Sequence, residues 1–137
     1  VGSTIGSVTS LLVAPLLARA LGADPVLQTA LALKSVTSAV GVDLAARVGA
    51  EPALTVPLVI LTGIAGAVAG PPLLRLLGIG EEAEGIAVGV NSHGIGTAAL
   101  ASDGREAGAA LAGLAMAVTA VVSGVLAPIA YALLGLP

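Results

Sequence analysis

The only histidine of the chain, His93, lies in a short polar stretch inside the otherwise apolar residues 85–101. Its imidazole could hydrogen-bond a carboxylate or carry a proton; the alternative is a neutral histidine that ties two helix breaks together. Polar groups persist in hydrocarbon only where they face protein or a watery cavity, so this stretch is a candidate binding site. The candidate site residues here are Asn91, Ser92, His93, Gly94, Gly96 and Thr97.

A second polar stretch interrupts residues 26–48 and contains a lysine. A lysine at the centre of a membrane helix costs about 2.5–3.5 kcal/mol on insertion scales. Its functional interpretation is a cation that attracts a small carboxylate; the alternative is a lysine that snorkels to the interface or pairs with Asp43. The candidate site residues here are Lys34, Ser35, Thr37 and Ser38.

Hydroxyl groups at both stretches, together with the N-termini of half-helices, would form an anion site. The alternative is that the serines and threonines bond only the backbone of their own helices. Gly94 and Gly96 are expected to allow a turn or close packing rather than to contact a ligand.

The composition indicates an integral membrane protein. Hydrophobic residues make up 57% of the chain and charged residues 9%, whereas about a quarter of a soluble domain is charged. The net charge of −3 argues against a nucleic-acid partner. Without cysteine, and with one histidine far from any carboxylate, the chain offers too few ligands for a metal, and no cofactor is expected.

An enzyme is not predicted. Ser35 beside Lys34 and Ser92 beside His93 suggest a nucleophile and a base, but adjacent helical residues point about 100° apart. The chain also lacks a G-x-S-x-G motif. No catalytic residue is therefore assigned.

The hydrophobic pattern predicts an all-helical bundle in a single transmembrane domain, residues 1–137. Residues 5–21 form a first span, and residues 26–48 form two half-helices around the Lys34 stretch. Residues 53–70 form a span that Pro71 and Pro72 end, before a short interfacial piece at 73–77. Residues 78–84 are predicted to be a solvated acidic loop, and residues 107–136 a final helix kinked at Pro128. No signal peptide is visible, and the chain is expected to be part of a longer protein.

An internal repeat is predicted from the shared layout of two units, approximately residues 26–71 and 83–128. In each unit a polar break, a charged turn, an apolar span and a proline follow one another, with Ser35 falling on Ser92 and Pro71 on Pro128. The interrupted segments are either re-entrant hairpins, which make the units inverted, or broken crossing helices, which make them parallel. We favour hairpins, because each half-segment of about nine residues reaches roughly the bilayer midplane at about 1.5 Å per residue.

Three motifs resemble the LrgB/CidB family: L-K-S-V-T-S at residues 33–38, L-T-G-I-A-G-A at 61–67 and S-H-G-I-G-T-A at 92–98. The resemblance covers nearly the whole chain, although family members are longer at the N-terminus. Leu33 and Ala39 stand where the family has prolines. The family includes bacterial antiholin-like regulators of murein hydrolase export, plastid glycolate/glycerate translocators and bacterial proteins linked to pyruvate uptake.

Two functions follow from the residues and the resemblance. The first is a carrier for small monocarboxylates (glycolate, glycerate, pyruvate or lactate) that works by alternating access with the substrate at the two breaks. The second is an antiholin-like regulator of murein hydrolase export and cell lysis that acts by oligomerisation with a small LrgA/CidA-like membrane protein. In both cases we expect a multi-pass protein of the cell membrane that forms homo-oligomers.

Overall fold

The computed structural model describes residues 1–136 as six α-helices, with no strand in that range. The predicted all-helical class is confirmed. The helices are α1 (Gly2–Ala20), α2 (Pro25–Ala32), α3 (Ser38–Val48), α4 (Pro52–Leu76), α5 (Glu81–Ser102) and α6 (Glu106–Leu134).

Helices α1, α4 and α6 are long and apolar enough to cross a bilayer. A crossing helix needs about 20 mostly apolar residues, and these three have 19, 25 and 29 residues. Large apolar side chains such as Leu61 on α4 and Val121 on α6 point away from the protein. In a bilayer these side chains contact lipid.

Local signals in the sequence set the bounds of α2 and α3. Asp24 accepts a hydrogen bond from the Val26 N–H, and Pro25 occupies the first position of α2. Thr37 caps α3, whose C-terminal cap, Gly49, has a φ of 78°. Aspartate or threonine before a helix and a left-handed glycine after it are the preferred caps. Residues 33–37, between α2 and α3, lie outside both helices.

The prediction that Pro71 and Pro72 end the third span was wrong, because α4 continues through both residues to Leu76. Proline fixes φ near −65°, which a helix accepts, but inside a helix it removes one backbone hydrogen bond and its ring crowds the carbonyl of the preceding turn. Membrane helices tolerate this loss, and Pro71 is buried among its neighbours.

Of the solvated acidic loop predicted at residues 78–84, residues 78–80 do lie between helices and Glu82 is exposed, but the prediction was wrong in placing the three acidic residues in a loop. Glu81, Glu82 and Glu84 lie in the first turn of α5, where carboxylates interact favourably with the positive end of the helix dipole. The Glu84 side chain is fully buried.

Helix α6 packs against α5, α1 and α3, and α4 packs against α5, α3 and α2. The contact between α5 and α6 is made by very small residues. A Cβ atom added to Gly85 would collide with the backbone of Gly108, and one added to Gly89 would collide with that of Ala112. Small residues allow this close approach of two membrane helices.

Apolar packing is unequal along the bundle. The larger cluster of buried apolar residues includes Leu11, Leu33, Leu44, Val59 and Tyr131, and a smaller cluster consists of Val88, Leu100, Ala109 and Ala112. Tyr131 lies near the end of α6, whereas Ala109 lies near its beginning. The two clusters therefore occupy different levels of the bundle.

Candidate functional site

The backbone of α5 is kinked at His93, which has φ 51° and ψ −142°. Among residues 1–136, His93 is the one non-glycine residue with a positive φ. Such a conformation costs about 1–3 kcal/mol and persists only where the surrounding structure holds it. The turn thus falls on the histidine itself rather than on Gly94, which lies in open space.

The His93 ring connects the two polar stretches. Its Nε2 atom lies 3.3 Å from the carbonyl oxygen of Lys34, 59 residues away in the chain. With a proton on Nε2, the ring donates a hydrogen bond to this carbonyl. Because α2 ends at Ala32, the Lys34 carbonyl lies beyond that helix and is free to accept. The structure therefore brings Lys34 and His93 together.

The Lys34 ammonium is held by hydroxyl groups. Its Nζ atom donates to Ser35 Oγ at 3.0 Å and to Ser10 Oγ at 3.4 Å, and the two hydroxyl oxygens lie 2.5 Å apart. Asp43 pairs instead with Arg47, at 2.9 Å. Within the described residues Lys34 has no carboxylate partner, which excludes the proposed pairing with Asp43.

Ser10 was missed by the sequence analysis. It lies on α1, 24 residues before Lys34, in a segment that reads as an ordinary apolar span. Serines are common in such spans, and only the packing of α1 against α2 shows which of them meets the lysine.

An open groove of about 520 Å³ runs beside Lys34, with Thr9, Ser10, Leu31 and Asn91 in its walls. This volume lies within the range of small-molecule sites. A second groove, of about 490 Å³, lies between α4 and α5 and is lined partly by Thr62, Gly66, Asn91 and Ser92. Asn91 borders both grooves.

Three predicted site residues bond their own local backbone. Thr37 Oγ1 accepts from the Val40 N–H at 3.4 Å, Asn91 Nδ2 donates to the Ala87 carbonyl at 3.1 Å, and Thr97 Oγ1 donates to the His93 carbonyl at 3.0 Å. For these side chains the backbone-bonding alternative describes the contact that is observed.

The remaining predicted residues have different environments. Ser92 is buried with no hydrogen-bond partner for its Oγ, which lies against Gly66. Gly96 packs tightly against the side chains of Ser92 and Val88, as the close-packing interpretation expects. Ser38 begins α3.

A group of charged residues, here called the Glu84 cluster (Arg75, Glu84, Asp103 and Arg105), lies apart from the Lys34–His93 contact. Glu84 Oε1 lies 3.0 Å from Arg75 Nε, and Glu84 Oε2 contacts Arg105 Nη2. Arg75 Nη2 also lies 3.0 Å from Asp103 Oδ2. The sequence analysis missed this cluster, because its residues come from the ends of α4, α5 and α6 and resemble ordinary turn charges.

The chain is similar to one protein family and to several curated bacterial proteins. Residues 1–133 match the LrgB-like family. The holin-like protein CidB of Staphylococcus epidermidis is 37% identical over 97 residues, which is 70% of this chain and 42% of that protein. The uncharacterized protein YxaC of Bacillus subtilis is 32% identical over 130 residues, covering 94% of this chain and 54% of that protein.

An uncharacterized protein of Haemophilus influenzae is 30% identical over 131 residues, 95% of this chain and 56% of that protein. The chain thus spans about half the length of the curated relatives it matches. No solved structure shows significant similarity to it.

The family match over residues 1–133 confirms the resemblance that the three motifs indicated. The three long apolar helices indicate several membrane crossings, and the CidB relatives are named holin-like. The chain belongs to the LrgB-like family and is a multi-pass protein of the cell membrane.

Proposed function

We propose that this chain forms the substrate site of a membrane carrier for small monocarboxylates such as glycolate, glycerate or pyruvate. One observation carries the proposal: the Lys34 ammonium has hydroxyl partners but no carboxylate partner in the described residues, and it borders a groove of about 520 Å³. Ser10 and Ser35 then act as hydrogen-bonding groups around that ammonium, and Asn91 shapes the wall of the groove.

The charge argument is direct. A carboxylate that leaves water for a low-dielectric cavity must find fixed donors and a countercharge, because an isolated buried anion is very costly. Lys34 supplies the charge, and the hydroxyls of Ser10 and Ser35 supply directional hydrogen bonds. A two- or three-carbon acid needs only part of the groove.

The His93 segment contributes in two ways. Its contact with the Lys34 carbonyl fixes the two polar stretches against each other. A protonated imidazole would add a second cation next to the substrate and would couple uptake to protons.

We further propose that both interrupted segments are re-entrant hairpins. For α5 the support is that Glu84, near its beginning, and Asp103, just after its end, both contact the Arg75 guanidinium. Along a straight helix these residues would lie about 28 Å apart at about 1.5 Å per residue. The chain between them must therefore double back, and the backbone turn at His93 is where it does so.

For residues 25–48 the support comes from the opposite end of the bundle. Thr29 on α2 accepts a hydrogen bond from the Tyr131 hydroxyl, and Leu44 and Ala45 on α3 belong to the same apolar cluster as Tyr131. Both limbs of this segment thus lie on the Tyr131 side of the bundle. The same apolar cluster continues to Leu33 and Val36 in the turn between the limbs.

Two hairpins that enter from opposite ends, with tips at Lys34 and His93, make the units at residues 26–71 and 83–128 an inverted repeat. Carriers with inverted repeats bind substrate near the midplane at breaks in their helices, and expose the site alternately to each side. The proposed carrier would therefore work by alternating access, with the substrate bound between the two hairpin tips.

Substitution of Lys34 tests the proposal. In the full-length protein, reconstituted in liposomes, Lys34→Ala should abolish uptake of labelled glycolate and pyruvate because the substrate charge loses its partner. Arg47→Ala is the matched control, since it removes an exposed cation whose one ionic partner among residues 1–136 is Asp43. Normal uptake by Lys34→Ala would show that the carboxylate site is wrongly assigned.

Substitution of His93 tests the proton coupling. His93→Gln keeps a hydrogen-bonding group but does not titrate, so the pH dependence of uptake should flatten while uptake itself persists. An unchanged pH profile would exclude His93 as the proton carrier.

The second candidate function is an antiholin-like regulator of murein hydrolase export that acts by homo-oligomerisation and by binding a small LrgA/CidA-like membrane protein. The holin-like name of the CidB relatives favours it. Co-purification of such a partner with the full-length protein, without uptake of any carboxylate, would support this function over the carrier.

A further inference from the structure

We propose that the Glu84 cluster is a latch that holds α5 against α4 and α6 and opens when the site becomes accessible from that end of the bundle. The proposal deepens the carrier function and rests on it, because alternating access requires one end to open and close.

The contacts of the cluster tie three helices together. Glu84, near the start of α5, uses both carboxylate oxygens, one for Arg75 in the last turn of α4 and one for Arg105 immediately before α6. Arg75 also contacts Asp103, just after α5. Both ends of α5 are therefore fastened to the same guanidinium, and α5 cannot move relative to α4 while these contacts persist.

Beside the cluster, the Gly108 N–H donates a hydrogen bond to Glu81 Oε1 at 3.0 Å, and the remaining contacts of α5 with α6 are mostly apolar. Gly85 and Gly89 of α5 lie directly against the backbone of Gly108 and Ala112 of α6. At these two glycines no side chain of α5 stands between the helices, so a small shear of α5 along α6 meets little steric resistance there. The ionic contacts therefore define the closed position.

The cluster is also able to release. It contains two carboxylates and two guanidinium groups, so its charges balance when it is closed. The side chains of Arg75 and Asp103 are 40% and 55% exposed, so water already reaches the outer part. Water can therefore hydrate these charged groups as the contacts open. In a fully enclosed network, opening would leave the charges with neither a partner nor water.

A reporter cysteine tests the latch in a cysteine-free form of the full-length protein; residues 1–137 themselves contain no cysteine. Val88→Cys places the reporter on α5, one turn after Glu84, where Val88 is buried against α6. Ala130→Cys places a second reporter in the apolar cluster at the other end. Both are labelled with a membrane-impermeant maleimide in vesicles of each orientation.

Glu84→Gln should raise the labelling rate of Val88→Cys by at least roughly tenfold, from one orientation only, as the loss of a charge-assisted hydrogen bond implies. The Ala130→Cys rate should not rise. Glu82→Gln, in the same turn but exposed, is the matched control and should change neither rate. The double variant Glu84→Gln/Arg105→Gln should add little to Glu84→Gln alone, because both break the same contact.

If Glu84→Gln raised the labelling rates of both reporters equally, the whole bundle would have loosened, and the latch would be overturned. If it raised neither rate, the latch would also be overturned. If Glu84→Gln fails to insert into the membrane, Asp103→Asn is the second variant, because it removes only the exposed contact between Arg75 and Asp103. It should raise the labelling rate of Val88→Cys about twofold. No rise in that variant also overturns the latch.

Labelling in the presence of substrate distinguishes failure of the latch proposal from failure of the carrier proposal. Glycolate or pyruvate should change the labelling rate of Val88→Cys in the otherwise unaltered protein. A response to Glu84→Gln without any response to either acid would contradict the carrier and leave the latch supported.

Discussion

The two ends of α6 are held by different forces. At its start, Arg105 contacts buried Glu84, and glycines of α5 lie against the helix backbone. At its end, Tyr131 belongs to an apolar cluster with Leu33 and Leu44 and bonds the Thr29 carbonyl. These regions, the ionic end and the apolar end, lie about 39 Å apart along the helix at about 1.5 Å per residue.

The difference shows which end can respond to a change in charge or solvent. Contacts between apolar side chains involve no charge, so protonation does not change them and simple screening by salt affects them far less than it affects ion pairs. Ion pairs weaken when a partner is neutralised and, where they are exposed, when ionic strength rises. We therefore expect the apolar end to act as the fixed part of the bundle and the ionic end as the movable part.

The largest expected effect comes from removing the buried carboxylate. Glu84→Ala should destabilise the folded protein by about 3 kcal/mol, because it leaves Arg105, whose side chain is only 24% exposed, without its partner. Unfolding in detergent micelles by a denaturing detergent measures this. Glu82→Ala is the control, and a similar loss there would remove the special role of Glu84.

The apolar end is tested by Leu33→Ala, which opens a cavity at a fully buried position. The expected loss is about 2 kcal/mol, mainly from lost packing contacts, and it should be the same at low and high salt. Leu61→Ala, on the lipid-facing surface of α4, should cost much less. A loss for Leu33→Ala that varies with salt would break the distinction between the two ends.

Tyr131→Phe tests whether a polar contact, rather than packing, fixes the apolar end. It removes the hydrogen bond to the Thr29 carbonyl and leaves the ring in place, so a loss of about 1 kcal/mol is expected in the same unfolding assay. A loss greater than that of Leu33→Ala would make the hydrogen bond the main constraint there.

The smallest effect is expected for Asp103→Asn. The exposed contact between Arg75 and Asp103 should contribute about 0.5 kcal/mol to the free energy of unfolding at low salt. At about 1 M salt, where the Debye length is about 3 Å, it should contribute nothing measurable. The loss for Glu84→Ala should persist at both salt concentrations because Glu84 is buried. Equal salt sensitivity of the two variants would mean that the cluster acts as a single exposed network.

Much of the fold follows from short-range signals. The apolar composition predicts the membrane class, and Asp24, Thr37 and Gly49 mark where helices begin and end. The two polar stretches identify Lys34 and His93 as candidates because a polar group in an apolar segment is costly wherever the segment packs. Each of these inferences needs only a few neighbouring residues.

The errors arose where the outcome depends on distant parts of the chain. Pro71 and Pro72 read locally as a helix end, yet α4 continues past both of them. Glu84 reads locally as one of three solvated carboxylates, and it is buried because Arg75 and Arg105 arrive from two other helices.

The sequence by itself thus determined that this is a helical membrane protein of the LrgB-like family with two polar interruptions. Only the tertiary structure decided that Ser10 meets Lys34, that the Lys34 carbonyl meets His93, and which carboxylate joins two arginines. Propensity and hydropathy act over a few residues, and they are present in the sequence as written. A contact between residues 59 positions apart depends on how all the helices pack together, which no single segment encodes.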